Sequence, residues 1–406
     1  MACGAGRQTP VEISRQIESP GGPVVALRVV VQPEHRDKAE RYVVAAAATI
    51  RACVESVGGF GGGSLTVLDP PWHGRAVAAA ANDIVLAPTP WWELPPAMTL
   101  ELNVARSIAR RCWADAIDSP DAPSWFIDGL AEFTARRVAV PLFNARALPG
   151  GYAVLETRYF GGFVPRLIPV RLYPDTDGDP LPFYRRQPNV DPTRAGSRDE
   201  QRSLTAKTVL MLGTLERWIG RPGFDAALSA FATEAHGRSA TLDTFTATVS
   251  AVSGQDVSWL VRPAVTTPAV IDYAVTRLES ASDPDGSYRS TVVVARLGDG
   301  RFTGTAALPA GPFESGRGVV LRTTFRDGSI RDDTWDGRSE SKTFVYGSAQ
   351  PIVSAEVDPD HTILLDVNPG NNGRTLTPRG GAVAASWAAR WWLWLQGVLL
   401  TYGSLV

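Results

Sequence analysis

The chain is poor in cysteine and in histidine. Of 406 residues three are cysteine, Cys3, Cys53 and Cys112, and no C-x-x-C pair is among them. That excludes a disulfide framework and a thiolate centre of the usual spacing. All three read as free thiols, with Cys112 a core residue on a helix. The histidines are His35, His73, His236 and His361, and no two lie within four residues of each other. A helical pair of histidine ligands for a metal is therefore missing. An excess of charge is missing too. The net charge of −2 gives no electrostatic reason for a nucleic-acid partner. The start, MACGAGRQTP, lacks the charged region and apolar run of a secretory signal, and nothing apolar precedes Cys3 as a lipoprotein cysteine requires.

Several catalytic arrangements are also absent. No G-x-S-x-G elbow, Walker loop or G-x-G-x-x-G after a strand occurs in a suitable context, and Ser107 has no histidine neighbour. The run GGFGGG at 58–63 lies between a helix and a strand, the wrong order for a phosphate loop, and reads as a turn. The acidic run DTDGD at 175–179 lacks the full calcium-loop spacing and its distal glutamate, and reads as a surface turn.

What is present is the material for a large core. Hydrophobic residues make up 44% of the chain and charged residues 20%, and the length fits two or three domains. Valine-rich 24–32 and SLTVL at 64–68 read as strands, separated by an alanine-rich helix over 36–57. Helices are expected over 98–117, 125–139, 204–219, 222–235 and 241–253, with Gly220 and Pro222 marking a stop and a restart. Residues 140–200 show no clear periodicity. From 268 to 367 the pattern becomes short runs separated by D-G turns: VIDYAVTRL, YRSTVVVARL, RFTGTAAL, GVVLRTTF, KTFVYG, IVSAEVD and TILLDV, with DDTWDG placing a tryptophan in a tight turn. Even spacing of this kind predicts an immunoglobulin-like β-sandwich.

The most informative stretch is WFIDGLAEF at 125–133. It resembles the W-L-N-E-G-F-A-E-Y motif of the gluzincin aminopeptidase family, of the membrane alanyl aminopeptidase type. In that family the first acidic residue of the motif is the third zinc ligand. The other two ligands come from H-E-x-x-H about 18 residues earlier, where two histidines share a helix face and the glutamate activates the zinc-bound water. Here the matching helix holds RSIAR at 106–110, one residue short of the family's spacing. Arg106 and Arg110 stand at the histidine positions, Ser107 at that of the general base, and Asp128 at that of the glutamate ligand. The helical segment 206–261 extends the resemblance, with Thr205 at the position of the family's transition-state tyrosine and Lys207 retained. The family's G-A-M-E-N element is missing before residue 98. The resemblance covers about residues 25–265 and implies a zinc cofactor whose ligands this sequence does not supply. Arginine has no lone pair to give a metal.

Three readings of the arginines stay open. Arg106 and Arg110, one helical turn apart, can pair with Asp128 and Glu132 and stand where the cation would. They can instead form a solvated face with Arg111, Asp115 and Asp118, or an anion site for a peptide C-terminus or a phosphate.

The tail is distinctive. The 16 residues from Trp391 to Val406 carry no charge, and Trp387, Trp391, Trp392 and Trp394 cluster at its start. That is short of the roughly 20 residues of a full span. Extended back to Val383 it includes Arg390, which can snorkel. The tail reads as membrane-seated, or alternatively as a helix docked on protein. If it spans, Arg374, Arg379 and Arg390 favour a cytoplasmic position for what precedes it.

The expected organisation is an α+β multidomain chain: an N-terminal segment 1–23, a thermolysin-like, mainly α-helical peptidase-like domain 24–265 without its zinc site, a β-sandwich 266–378, and a C-terminal apolar helix 379–406. Domains like the β-sandwich accompany some bacterial relatives. The expected function is that of a pseudopeptidase with no catalytic residues, no metal and no cofactor, serving as a membrane-associated bacterial binding or scaffolding protein with a protein or peptide partner. The alternatives are an active zinc-dependent aminopeptidase with non-standard ligands, and an unrelated hydrolase in the old cleft.

Overall fold

The computed structural model describes residues 9–59, 62–70, 83–89, 99–117, 121–146, 180–236, 240–304, 318–377 and 388. Helices and sheets are mixed in it. By compactness the chain divides into two units, Met1–Ala116 with Ala131–Asp179 and Gly380–Val406, and Ile117–Leu130 with Pro180–Arg379.

The first unit is built on a four-stranded sheet of order β1-β2-β3-β4: Val11–Ile17, Val25–Val31, Ser64–Leu68 and Ile84–Leu86. β1 runs antiparallel to β2, whereas β2, β3 and β4 are parallel. Parallel neighbours need a crossover, and helix α1 (Ala39–Val57) supplies the one between β2 and β3. Gly58 ends α1 in a left-handed conformation (φ 73°), its N–H bonded to the Val54 carbonyl. Strand β1 falls in the segment 1–23, where the sequence pattern predicts no element. Its seven residues are largely exposed and polar, as an edge strand requires, so the alternation that betrays a buried strand is weak.

Helix α2 (Thr99–Ala116) has two buried faces. Leu100, Val104, Ile108 and Cys112, four residues apart, join the core of the sheet and α1. Leu102 and Ala105 pack with Ala135, Val138 and Ala139 of helix α3 (Ser124–Arg146). α3 continues past its expected end at 139 and through Pro141, because Leu142 still packs on the core.

The second unit holds the start of α3 and helices α4 (Pro180–Arg186), α5 (Arg198–Ile219), α6 (Arg221–Ala235), α7 (Leu242–Ser253) and α8 (Ser258–Thr266). α5 begins earlier than the apolar pattern suggests. Ser197 accepts a hydrogen bond from the Glu200 N–H (3.2 Å), and the Glu200 carboxylate accepts one from the Ser197 N–H (2.8 Å). Phe126 of α3, Phe231 of α6 and Phe245 of α7 meet edge to face at the centre. Gly129 of α3 sits against Thr208 of α5, where an added Cβ would come within 2.6 Å of the Thr208 Cβ. The glycine of the acidic motif is thus a packing requirement, and overpacking there costs about 1–3 kcal/mol.

The same unit carries two antiparallel sheets. One has the order β5-β6-β9 (Tyr273–Ser282, Tyr288–Arg296, Ser341–Ser348). The other has the order β11-β10-β7-β8 (Gly373–Thr375, Ile352–Val357, Val319–Phe325, Ile330–Trp335). Tyr273 against Trp335 and Phe325 against Tyr346 join the sheets edge to face. Three expected features differ. Asp332 to Trp335 lie in β8, and the turn comes one step later at Gly337 (φ 65°). Residues 301–304 of RFTGTAAL form no strand; the rest of that run lies outside the described residues. TILLDV is a docked turn segment with a single bridge, Ile271 to Asp366. Its N–H groups are taken elsewhere: those of Thr362 and Ile363 by the Asp358 carboxylate, both at 2.8 Å, and that of Leu364 by the Thr214 hydroxyl of α5 (3.1 Å). Arg217 of α5 also donates to the His361 carbonyl. The apolar tail, save residue 388, and the run 175–179 lie outside the described residues. Among the described residues no helix is long and apolar enough to cross a membrane.

Lys207 makes the third tie from α5. It is buried, and its Nζ donates to the carbonyls of Thr267 (3.0 Å) and Ala269 (3.1 Å), just beyond α8. Burial pushes its ammonium down to about 8. The folded value lies below the unfolded one, so between about pH 8 and 10.5 Lys207 is more protonated in the unfolded chain, and its contribution to stability rises through that window. Burial lifts the Asp366 carboxyl to about 6, below the window. The Tyr273 phenol, lifted to about 12, and the raised Cys112 thiol keep protons that the unfolded chain loses within it, an opposing share that is common to the native chain and a Lys207 variant. Urea denaturation of the native chain and of Lys207→Met at pH 7 and pH 9.5 tests this. The native chain is expected to gain about 2 kcal/mol relative to the variant over that range; a pH-independent difference refutes it.

Candidate functional site

Helix α2 carries RSIAR, and its partners within the first unit are well defined. Arg106 makes a two-pronged contact with Glu132 of α3: Nη2 donates to Oε1 at 2.9 Å and Nε donates to Oε2. Nη1 donates to the Asn103 side-chain oxygen one turn earlier on α2 (3.2 Å). The Arg106 side chain is 37% exposed and that of Glu132 only 15%. The planar fork of guanidinium on carboxylate fixes the orientation of both groups. In this half-exposed setting its contribution is chiefly geometric.

Ser107 points the other way. Its hydroxyl donates to the Leu86 carbonyl of β4 at 2.7 Å, and the Asn103 amide donates to the Pro88 carbonyl at 2.8 Å. The Ala87 N–H is bonded inward to Leu68 of β3, so Leu86 presents its carbonyl on the outer edge of the sheet, where α2 covers it. Ser107 is thus engaged in holding a backbone acceptor. Arg110 is exposed. Arg111 lies 3.4 Å from Asp115 in an i,i+4 pair, but its side chain is only 14% exposed and so is not part of a solvated face. Asp118 lies outside the described residues.

Asp128 and Thr205 belong to the second unit. Asp128 is half-buried on α3, and the Thr205 hydroxyl bonds back to the Gln201 carbonyl at 2.9 Å, as threonines inside helices do. Among the described residues no three or more of His, Cys, Asp and Glu are placed to hold a metal. The donor set on α2 does not suit zinc on its own chemistry: a guanidinium offers only N–H groups, and the serine is committed to Leu86.

Two buried pairs escape the sequence. Arg41 of α1 holds Glu101 of α2 with two bonds of 2.9 Å, the Glu101 side chain being 5% exposed. The signal for it is a charged residue between Leu100 and Leu102 on an otherwise apolar stretch, since a buried carboxylate requires a partner. His35 and Asp69 also meet, Nδ1 to Oδ2 at 2.6 Å, with His35 Nε2 and Asp69 Oδ1 buried without a partner. Nothing local connects residues so far apart.

No protein-family model and no curated protein sequence matches the chain. Solved structures do. The fold superposes on an aminopeptidase A of Legionella pneumophila, crystallised with aspartic acid, with a TM-score of 0.51 and 12% identity over 88% of this chain and 38% of that one. An M1 zinc metallopeptidase of Deinococcus radiodurans, a mutant bound to a Tyr-Ser-Ala substrate, gives a TM-score of 0.40 and 14% identity over 63% and 52%. The chain therefore spans about two fifths to one half of these similar proteins. In fold it is aminopeptidase-like.

Replacing Arg106 by alanine leaves Glu132, mostly buried, without its fork. The variant is expected to lose about 1–2 kcal/mol, and Glu132→Gln less, because the amide oxygen still accepts. Equal stability of Arg106→Ala and the native chain in urea denaturation would contradict this account of the pair.

Proposed function

We propose that the chain is an aminopeptidase-like protein without peptidase activity, acting as a membrane-associated binding or scaffolding protein for a protein or peptide. The observation that carries the reading is the Arg106–Glu132 fork. Arg106 stands where the resembled motif has its first histidine, and it ties α2 to α3 by a fixed positive charge. Ser107, at the position of the general base, is bound to a backbone carbonyl. Replacement of ligand and base on one helix, each residue engaged in a specific structural bond, favours a role in architecture over metal chemistry. On this reading the peptidase-like part spans 24–265, the two sheets form an immunoglobulin-like sandwich over 266–378, and residues 379–406 seat the chain on a bacterial membrane through their tryptophans and uncharged run.

Metal analysis of the purified chain is expected to find no stoichiometric zinc, and aminoacyl p-nitroanilides are expected to remain uncleaved with or without added zinc. Chelatable zinc at one per chain, with chelator-sensitive hydrolysis, would establish the active aminopeptidase instead. For the membrane, the full chain is expected to sediment with liposomes and residues 1–380 to stay in solution; identical behaviour of the two removes the membrane role.

A further inference from the structure

α1 and α2 pack side by side. Arg41 and Glu101 pair near the beginnings of the two helices. Cys53 lies twelve residues after Arg41, and Cys112 eleven after Glu101. At 1.5 Å rise per residue these offsets carry both cysteines nearly the same distance along helices that run in the same direction. The two thiols meet there. Both are uncombined, both lie in the same core cluster at 1% and 3% exposure, and Cys53 is near enough to act on the Cys112 thiol.

We propose that Cys53 and Cys112 are the two halves of an oxidative cross-link, a disulfide that staples α2 to α1 when the chain folds in an oxidising compartment. The oxidant is a small-molecule disulfide. One thiolate attacks it, forming a mixed disulfide and releasing one small thiol. The second cysteine then displaces the other small thiol. Two S–H bonds are lost, one S–S bond forms, and the two electrons and two protons pass to the small disulfide, which becomes two thiols. Burial, together with the neighbouring sulfur, pushes the Cys112 thiol well above its ordinary range, so the packed pair reacts slowly. The exchange takes place before α2 has packed, and packing afterwards shields the bond from reductant. The cross-link removes freedom from a long loop of the unfolded chain, the setting in which such a bond stabilises most.

The test uses the full chain carrying Cys3→Ser, which leaves only these two thiols. It is unfolded and refolded in a glutathione buffer poised oxidising, and in parallel under reductant. The oxidised sample is expected to lose two hydrogens in mass, to show no titratable thiol in denaturant, and to yield a peptide linking residues 53 and 112. It is expected to stay monomeric and to melt roughly 10 °C above the reduced sample. Two thiols still titrating, glutathione adducts, or intermolecular dimers would overturn the proposal. Cys53→Ala and Cys112→Ala provide an independent reading: each is expected to abolish the redox dependence of the melting temperature. Its persistence in either would equally overturn the assignment.

Discussion

The first unit depends on how a single helix is held. α2 lies against the sheet and α1 on one face and against α3 on the other, and on each side a carboxylate–guanidinium fork fixes its position: Glu101 to Arg41, and Arg106 to Glu132. Apolar contacts alone leave a helix free to slide or rotate by small amounts, because dispersion is not directional. A planar fork with two bonds does not. The Glu101 pair is the more buried and is anchored to α1. The Arg106 pair is more open to solvent and anchors α3. Trp113, whose indole N–H reaches the Thr134 hydroxyl at 2.9 Å, adds a third directional contact farther along the same helix.

With α2 fixed in this way, its polar face is committed to neighbouring backbone. Ser107 and Asn103 satisfy outward carbonyls at the end of β4 that would otherwise need water or another strand. Polar groups of α2 here close a sheet edge. The fork and the edge contacts use adjacent residues of α2, Arg106 and Ser107.

Much of this architecture is legible in the residues themselves. The Val-rich strands and the alanine-rich α1 follow from periodicity, and the resemblance carried by the acidic motif on α3 makes Arg106, Arg110, Asp128 and Glu132 candidates for one cluster. The features that the sequence hides have common physical causes. β1 is an exposed edge strand, so it lacks the alternation of a buried one. TILLDV has the composition of a strand, yet its N–H groups are claimed by Asp358 and Thr214, and that competition is tertiary. The Arg41–Glu101 and His35–Asp69 pairs join residues far apart in the chain, and only folding brings them together.

The three ties of α5, Lys207 to the carbonyls after α8, Thr214 to Leu364 and Arg217 to His361, are spread over ten residues, about 15 Å of helix. They attach the segment that leads into β5 and the one between β10 and β11 to one rigid rod at separate points. A pull on those sheets along the rod would load the three ties together in shear, whereas a pull across it would open them one after another. Mechanical resistance in this unit is therefore directional, and α5 is the element that bears the load.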